Sequence, residues 1–337
     1  INGNNIDLTV FDETQSRIQL FNNSYTSGET ILWNAQTCNS EGTCKFADEN
    51  RTFTMDSTPP TINISSPVES YDYLYVGQVL DLNVTANDTN LDSCWYDYNG
   101  TNETFSCTNG TLAETNFTLE EGNNNITVYA NDTIGNVGSE LVSWDVVILE
   151  TDSNYNNETI ETEEETLSID ITADEIIEVN LIYDGEEYPT SETSLGGNKV
   201  RYSTTLDILL VSSDENITFY WNVIDSVEIN TSEKTILVKD LVYSFDQAYS
   251  LLNVTIYDEI TGELVNNTEL EILSDYYVGS GDVQETIFSS STENGTFDIG
   301  TNLLTSLISS NRFTYSADGY QNRQWNGDLG FVGGSII

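Results

Sequence analysis

The residues best able to do chemistry in this sequence are carboxylates, and they are not accompanied by a single histidine. Asp and Glu number 56 among 337 residues, against nine Lys and Arg, for a formal net charge of -47. Histidine is the commonest general base and metal ligand, and the usual partner of a Ser or Cys nucleophile. Two acids could still support glycoside hydrolysis, but no spacing singles out a pair. The composition therefore predicts a protein that is not an enzyme.

The motif ANDT occurs twice and supplies the best candidates for a metal site. Its carboxylates, Asp88 and Asp132, could act as hard oxygen ligands for calcium, with Asp92 and Glu150 as further donors near a domain junction. The alternative is structural, because Asn and Asp at strand ends commonly form Asx turns. Apart from calcium and N-linked glycans, the sequence suggests no cofactor.

The strongly acidic charge restricts the partners of the chain. A net charge of -47 repels phosphate backbones and anionic lipid, and there are no basic patches to offset it. We therefore expect no nucleic-acid partner. The sequence also has no apolar run of about 18 residues that could span a membrane. It begins at Ile1 and not at Met, so we interpret it as a portion of a longer protein whose neighbouring domains could be its partners.

The four cysteines form two local pairs. Cys38 and Cys44 enclose one short loop, Cys94 and Cys107 enclose another, and each loop contains a glycine where a turn is needed. A metal site would require closer spacing and further soft ligands. We therefore predict the disulfides Cys38–Cys44 and Cys94–Cys107. Two disulfides indicate an oxidising, extracellular location.

Asparagine followed two residues later by Ser or Thr is unusually frequent. The sequence has 17 such sequons, where composition alone would give about eight. In six of them the middle residue is apolar, a pattern that a half-buried strand produces by itself; the same alternation places the Asn on the solvent face. We predict a glycoprotein. The candidate sites are Asn22, Asn50, Asn63, Asn83, Asn87, Asn99, Asn102, Asn109, Asn116, Asn125, Asn131, Asn157, Asn216, Asn230, Asn253, Asn266 and Asn294.

Short strands must position these residues, because the chain shows alternation and almost no helical period. VLDLNVTA at 79–86 places Leu, Leu, Val and Ala on one face, and NITVYAN at 125–131 repeats the pattern. Similar segments recur along the chain between NG, DG, GG and SG turns. This spacing predicts an all-β fold, with tandem immunoglobulin-like β-sandwich domains in an elongated array.

The stretch DSTPPTINISSP at 56–67 contains three of the four prolines and marks the clearest domain boundary. Pro59 and Pro60 cannot donate to a β-ladder, so they should end one sandwich and fix the direction in which the chain leaves it. The domains expected are 1–57, an immunoglobulin-like sandwich that could be incomplete; 58–149, a second; 150–240, a β-sandwich spacer with an acidic linker at its start; and 241–337, a fourth sandwich.

Residues 29–149 carry a resemblance to a known family. The stretches ILWNAQTCNSEGTCKFADENRTFTMDSTPPTINISSP, LDSCWYDYNGT and NITVYANDTIGNVGS together resemble the tandem immunoglobulin-like repeats of large archaeal surface and secreted proteins. In that family a Cys-containing hairpin closes one repeat, an Asp-x-Thr-Pro-Pro junction follows, and a hairpin joins the last two strands of the next repeat. The resemblance implies a surface protein of archaeal origin.

The last domain resembles a different family. NVTIYDEITGELVNNTELEI, ENGTFDIG and FTYSADGYQNRQW are similar to the strands of carboxypeptidase regulatory-like or transthyretin-like sandwiches, over about residues 241–326. Those domains are accessory modules, so the resemblance implies spacing or adhesion. Residues 281–312 are longer and richer in Ser than that pattern.

These features favour a non-enzymatic, extracellular structural glycoprotein: a stalk, fibre or filament subunit of a microbial, archaeal cell surface that associates with itself. The segments INGNNIDLTV and DLGFVGGSII are apolar, and either could add as a strand to an open sheet of a neighbouring subunit. The alternative function is an adhesin or a virus receptor-binding fibre that recognises glycans or a host surface protein, for which Tyr320 and Trp325 are candidate sugar-stacking residues.

Overall fold

A computed structural model describes residues 27–336, apart from residues 35, 175, 177, 226, 227, 333 and 334. The described residues form 30 β-strands and no helix. This confirms the prediction of an all-β fold built from tandem β-sandwiches. Since the described part contains no helix, none is long and apolar enough to cross a membrane. Two compact units are present: residues up to Tyr71 with Gly77–Asp145, and Asp72–Val76 with the residues from Val146 onward.

Two short strand pairs precede the second sandwich in the first unit. The outer pair is β1 (Thr30–Trp33) with β4 (Arg51–Thr54), which are antiparallel. Between them, β2 (Gln36–Cys38) and β3 (Cys44–Phe46) form a hairpin. Residues 1–26 of the domain expected at 1–57 lie outside the described residues, so the completeness of that sandwich stays a prediction.

The second sandwich consists of a three-stranded and a four-stranded sheet. Alternation sets its core, because Leu82 and Val84 of one sheet and Ile126 and Val128 of the other are all almost fully buried. The residues that the sequence placed on the inner faces are therefore inside. The sheet orders are β10-β7-β5 and β12-β11-β8-β9, with bounds β5 (Thr61–Ser66), β6 (Ser70–Tyr75, outside both sheets), β7 (Val79–Asn87), β8 (Leu91–Tyr98), β9 (Thr101–Phe105), β10 (Leu112–Thr118), β11 (Asn125–Asp132) and β12 (Val137–Ser143).

The third sandwich has a core built around large aromatic side chains. Trp221, Tyr183 and Phe219 are its largest fully buried side chains. One sheet has the order β18-β19-β15-β13-β6 and the other β14-β22-β20-β16-β17, with β21 also paired to β20. The bounds are β13 (Asp145–Asn154), β14 (Glu158–Ile160), β15 (Glu164–Ala173), β16 (Glu178–Tyr183), β17 (Glu186–Pro189), β18 (Ser191–Gly196), β19 (Lys199–Asp207), β20 (Glu215–Ile224), β21 (Glu228–Asn230) and β22 (Lys234–Lys239).

The fourth sandwich places three strands against five. Its core includes Leu270, Ile272, Ile299 and Leu307, all fully buried. The sheet orders are β23-β27-β24 and β26-β25-β28-β29-β30. The bounds are β23 (Tyr243–Phe245), β24 (Tyr249–Thr255), β25 (Thr268–Val278), β26 (Gln284–Thr292), β27 (Thr296–Thr301), β28 (Leu307–Ala317), β29 (Arg323–Val332) and β30 (Ser335–Ile336).

Two sequence expectations need correction at the start of the third sandwich. The boundary expected between 149 and 150 falls inside β13, and the acidic stretch at 150–166 is not a linker. Glu150 and Glu161 are buried there, as are Thr159 and Thr162. The prediction was wrong because an acid-rich composition is typical of exposed, irregular chain. The Thr, Ile and Tyr residues between the acids favour strands.

The Pro-Pro junction is held by a close backbone contact within the first unit. Pro60 is buried and Pro59 is exposed. A Cβ added at Gly138, in β12, would lie 2.0 Å from the backbone oxygen of Pro60. Such a distance cannot be accommodated by rotating a side chain, because the obstacle is backbone. A residue without a Cβ is therefore required where β12 meets the start of the second sandwich.

We expect Gly138→Ala to destabilise the first unit by about 1–3 kcal/mol, since the backbone of Pro60 must move. Gly330→Ala is the matched control: its added Cβ meets nothing within 4 Å, and its effect should stay within about 0.5 kcal/mol. Denaturant unfolding of both variants measures the difference. Equal stabilities would contradict the contact.

Candidate functional site

Three carboxylates meet in the first unit, where three strands end. Asp56 follows β4, Asp88 follows β7, and Asp132 is the last residue of β11. One oxygen from each lies within 4.8 Å of the others. The structure thus brings together Asp88 and Asp132, the two residues selected from the ANDT motifs. It adds Asp56, which the sequence analysis placed in the domain boundary at 56–67 and did not propose as a ligand.

Asp132 is the buried member, with 1% of its surface exposed. Its Oδ1 accepts hydrogen bonds from the N–H groups of Ile134 (2.9 Å), Gly135 (2.7 Å) and Asn136 (2.8 Å), and its Oδ2 accepts from Nδ2 of Asn136 (2.7 Å). Gly135 has a φ of +97°, which permits the tight turn that aims these groups at one oxygen. One side chain therefore closes the β11–β12 hairpin.

Asp88 and Asp56, both half-buried, also accept backbone N–H groups. Oδ1 of Asp88 accepts from the N–H of Asn90 at 2.7 Å, which is an Asx turn. Oδ1 of Asp56 accepts from the N–H of Thr58 at 3.1 Å and from the Ser27 hydroxyl at 3.2 Å. These hydrogen bonds show that the carboxylates hold turns at strand ends, which was the alternative to a metal site.

Two asparagine amides connect the three acidic loops. Nδ2 of Asn90 donates to Oδ2 of Asp56 at 3.1 Å. Nδ2 of Asn136 donates both to Asp132 and to the backbone oxygen of Asp56 at 3.2 Å. The three loops thus hold one another by neutral donors and not by opposite charges.

The negative charge of this carboxylate cluster is not neutralised by basic side chains. Within the described part of the chain, no Lys or Arg forms an ion pair with Asp56, Asp88 or Asp132. Burial acts to raise the pKa of Asp132, but the hydrogen bonds from Asn136, Ile134 and Gly135 outweigh it and lower the pKa overall. A groove of about 490 Å³ lies beside Asp56 and Asp88. Its oxygens suit a hard cation, and calcium here stays a prediction.

Glu150, one of the further candidates, is not in this cluster. It is buried in the second unit, where Oε1 accepts from Nζ of Lys234 at 2.8 Å and Oε2 accepts from the hydroxyl of Tyr73. Burial, with the bond to Glu150, raises the pKa of Tyr73. Glu150 therefore links β6, β13 and the end of the third sandwich. Asp92 is exposed and does not join the cluster.

Glu161 is a buried acid whose structural role the sequence did not reveal. It is 3% exposed, and its carboxylate accepts the N–H of Val211 at 2.8 Å and the N–H of Leu241 at 3.1 Å. Burial raises the pKa of Glu161 against the effect of these two donors. Leu241 belongs to the core of the fourth sandwich, so Glu161 ties the third sandwich to the fourth. No local signal separates it from the acids around it.

The cysteines are disulfide-bonded where the structure describes them. Cys94 and Cys107 form a disulfide with Cα atoms 6.1 Å apart, which confirms that pairing. Cys44 is also disulfide-bonded, and the ladder places the Cα of Cys38 opposite it. The side chain of Cys38 lies outside the described residues, so the pairing Cys38–Cys44 stays a prediction.

Some aromatic side chains lie in the cores of the sandwiches and others at the surface. Trp144 is 2% exposed and Trp221 is fully buried. Trp95 stacks on Tyr129 with ring centroids 5.4 Å apart. Trp325 and Tyr320 are 49% and 51% exposed, so the two residues chosen for surface contact do lie at the surface of the fourth sandwich.

Comparison with known proteins identifies no family. No protein-family model matches the chain, and no curated protein matches it. Similar solved structures include the fibronectin(III)-like modules of Clostridium thermocellum CbhA, at 14% identity, 53% of this chain, 94% of that chain and a TM-score of 0.23. A titin Ig tandem has 9% identity, 53% and 96% coverage and a TM-score of 0.24. A titin I-band fragment has 12% identity and a TM-score of 0.25, and the match covers 80% of this chain and 97% of that chain. The fold assignment therefore rests on the strand pairing described above.

If the carboxylate cluster holds calcium, millimolar calcium should raise the Tm of the first unit, because a ligand that binds only the folded state stabilises it. At ten times the Kd the gain is about 1.4 kcal/mol. Asp88→Asn should abolish this gain, whereas Asp92→Asn, an exposed control in the same region, should retain it. Differential scanning calorimetry with calcium and with a chelator measures the effect. An unchanged Tm would contradict calcium binding, and the cluster would then serve only to hold the three turns.

The depressed pKa of Asp132 gives stability a pH dependence of defined sign. Because the folded pKa lies below the unfolded value of about 3.9, ionised Asp132 stabilises the fold above that pH, and the contribution is lost as the pH falls through the folded pKa. We expect Asp132→Asn to lower stability at neutral pH and the gap from the unmodified chain to narrow in acid. Urea unfolding across this range tests it; a gap that is constant with pH contradicts the assignment.

Proposed function

We propose that this chain is a non-enzymatic structural glycoprotein of an extracellular surface, a stalk, fibre or filament subunit that associates with itself. The single observation that carries the proposal is the placement of the sequons on successive β-sandwiches. Asn22 lies outside the described residues, which leaves 16 of the 17 sequon asparagines. Of these, 14 are exposed and two, Asn83 and Asn131, are half-buried.

The asparagines that are buried lie outside sequons. Asn180, Asn222 and Asn311 are 8% exposed or less, and no Ser or Thr follows two residues after any of them. Sequons generated by composition alone would fall on buried asparagines as well. Their restriction to accessible positions supports glycosylation, and N-linked glycans belong to proteins of an extracytoplasmic compartment. The disulfide Cys94–Cys107 supports the same location.

A mechanical role fits how the sandwiches are held. Each of the second, third and fourth sandwiches contains a long antiparallel ladder, such as β10–β7, β15–β19 and β25–β28. Two contacts join segments that are distant in sequence: Glu161 accepts the N–H of Leu241, and β6 pairs with β13. The resemblance of residues 29–149 to archaeal surface repeats supports a cell-surface location and an archaeal origin.

The alternative, an adhesin, has one observation in its favour. A cavity of about 290 Å³ in the fourth sandwich is lined by Tyr257, Asp258, Tyr320 and Arg323, among others. The Tyr320 hydroxyl donates to Oδ2 of Asp258 at 2.8 Å. The N–H of Thr261 and this hydroxyl lower the pKa of Asp258 to about 2. Exposed rings beside fixed polar groups are the usual components of a neutral sugar site.

Native material should show fibres by negative-stain electron microscopy, and mass spectrometry should find glycans on exposed sequons. The tripeptide Asn-Asp-Thr provides an internal control, because it occurs at Asn87 and at Asn131. Asn87 is exposed, whereas Oδ1 of half-buried Asn131 accepts from the N–H of Ser93 at 3.1 Å. We expect occupancy at Asn87 to exceed that at Asn131. Isolated particles that bind a glycan array would favour the adhesin, and a chain without glycans would contradict the proposal.

A further inference from the structure

The fourth sandwich is open along one side. Its smaller sheet, β23-β27-β24, has three strands, and the sheet facing it has five. β24 pairs with β27, and among the described residues no strand pairs with its other edge. An unpaired edge presents a row of free backbone donors and acceptors to any strand that can reach it.

Trp325 marks the place where a strand is missing. It lies directly opposite Phe313 in the β28–β29 ladder, so the two side chains share a face of the sheet. Their ring centroids are 5.2 Å apart. Phe313 is 4% exposed and belongs to the core, whereas Trp325 is 49% exposed. An aromatic residue on the inner face of the sandwich is thus left without a cover.

A cleft of about 490 Å³ runs between this uncovered face and the edge of β24. β24 and the two residues after it line the cleft with six consecutive residues, 252–257, whereas β29 lines it with Trp325 and Leu329 only. Alternate residues line a cleft when side chains from one face project into it; consecutive residues line it when the backbone edge itself is exposed. The cleft therefore combines a backbone edge with an apolar wall.

These two properties define the occupant as an extended chain with apolar residues at every second position. Main-chain hydrogen bonds to an edge supply affinity in β-strand addition, and pockets for alternate side chains supply specificity. Six residues of strand span about 20 Å. A saccharide could stack on Trp325, but it would leave the row of consecutive backbone groups unused.

We propose that residues 5–11 of a second copy of this chain, NIDLTVF, add as a strand to the free edge of β24. Ile6, Leu8 and Val10 alternate with Asp7 and Thr9, so the three apolar side chains can cover Trp325 and Leu329 while Asp7 and Thr9 face water. The other apolar segment identified in the sequence, DLGFVGGSII, already contributes to β29 and β30. This proposal rests on the proposed function, because it names the contact by which fibre subunits join head to tail.

The first test uses a synthetic peptide of residues 4–12 and the 337-residue chain. A labelled peptide should bind saturably by fluorescence anisotropy, and Trp325→Ala should weaken binding at least about tenfold, because a buried aromatic anchor is lost. Phe46→Ala is the matched control: Phe46 is also 49% exposed but lies in β3, and its loss should leave binding unchanged. A peptide with Leu8→Asp should not bind, which tests the contact without altering the protein.

The second test asks whether the strand comes from another molecule. Chains carrying Thr9→Cys are mixed with chains carrying either Asn253→Cys or Thr255→Cys, and disulfide-linked dimers are sought on non-reducing gels. Dimers in the mixture are expected, because paired strands bring opposite residues within disulfide range. Cross-links that form only when both cysteines are in one chain would overturn the proposal, since the segment would then pair within its own molecule.

The two proposals fail differently. If the peptide does not bind and no cross-link forms, strand addition is wrong, even where native fibres are seen and the structural function stands. If the peptide fails to bind but neutral oligosaccharides quench the tryptophan fluorescence of the unmodified chain and not of Trp325→Ala, the cleft is a sugar site. If peptide and cross-links behave as expected but native material shows no fibres, the contact stands and the fibre function is wrong.

Discussion

Carboxylates accept backbone N–H groups where the β-ladders of this chain stop, and the arrangement of its loops depends on that interaction. A carboxylate that accepts backbone N–H groups fixes the loop that carries them, and a hydrogen bond to a charged acceptor is stronger than one between neutral groups. Asp132 provides three such acceptor contacts at the β11–β12 turn, Asp258 provides two after β24, and Glu161 provides two between sandwiches. In a chain with 56 acids, the side chain most often at hand for this purpose is a carboxylate.

The same interaction explains how a chain of this charge can fold compactly. A carboxylate that accepts several N–H groups is stabilised as an anion without a basic partner, because the donors supply positive charge at short range. The chain has nine Lys and Arg. In the described part, some of them pair with acids in strands, as Arg201 does with Asp170, and others with acids in loops, as Lys239 does with Asp214. Asp56, Asp88 and Asp132 each accept hydrogen bonds within their own loops. These bonds do not remove the repulsion between the three negative charges, which lie close together.

Alternation could be read from the sequence, and long-range pairing could not. The parity of VLDLNVTA and NITVYAN correctly assigned inner faces, because a strand has a period of two wherever one face is buried. The pairing of β6 with β13 and the burial of Glu161 depend on contacts between residues that are far apart in sequence. Asp56 was missed for the same reason: its partners Asn90 and Asn136 come from two other loops. The acidic stretch at 150–166 failed because composition was weighted above strand propensity.

The position of the sequons limits how such chains could touch one another. Asn63, Asn116, Asn216 and Asn253 each lie within a strand and are exposed on an outer sheet face. A glycan on an outer face obstructs the stacking of one sheet on another, because stacked sheets lie only about 10 Å apart. It obstructs an edge much less, since an added strand lies in the plane of the sheet, about 4.8 Å away. With the glycans proposed above at these four sequons, the sandwiches would be left with their edges and loops as surfaces for protein contact.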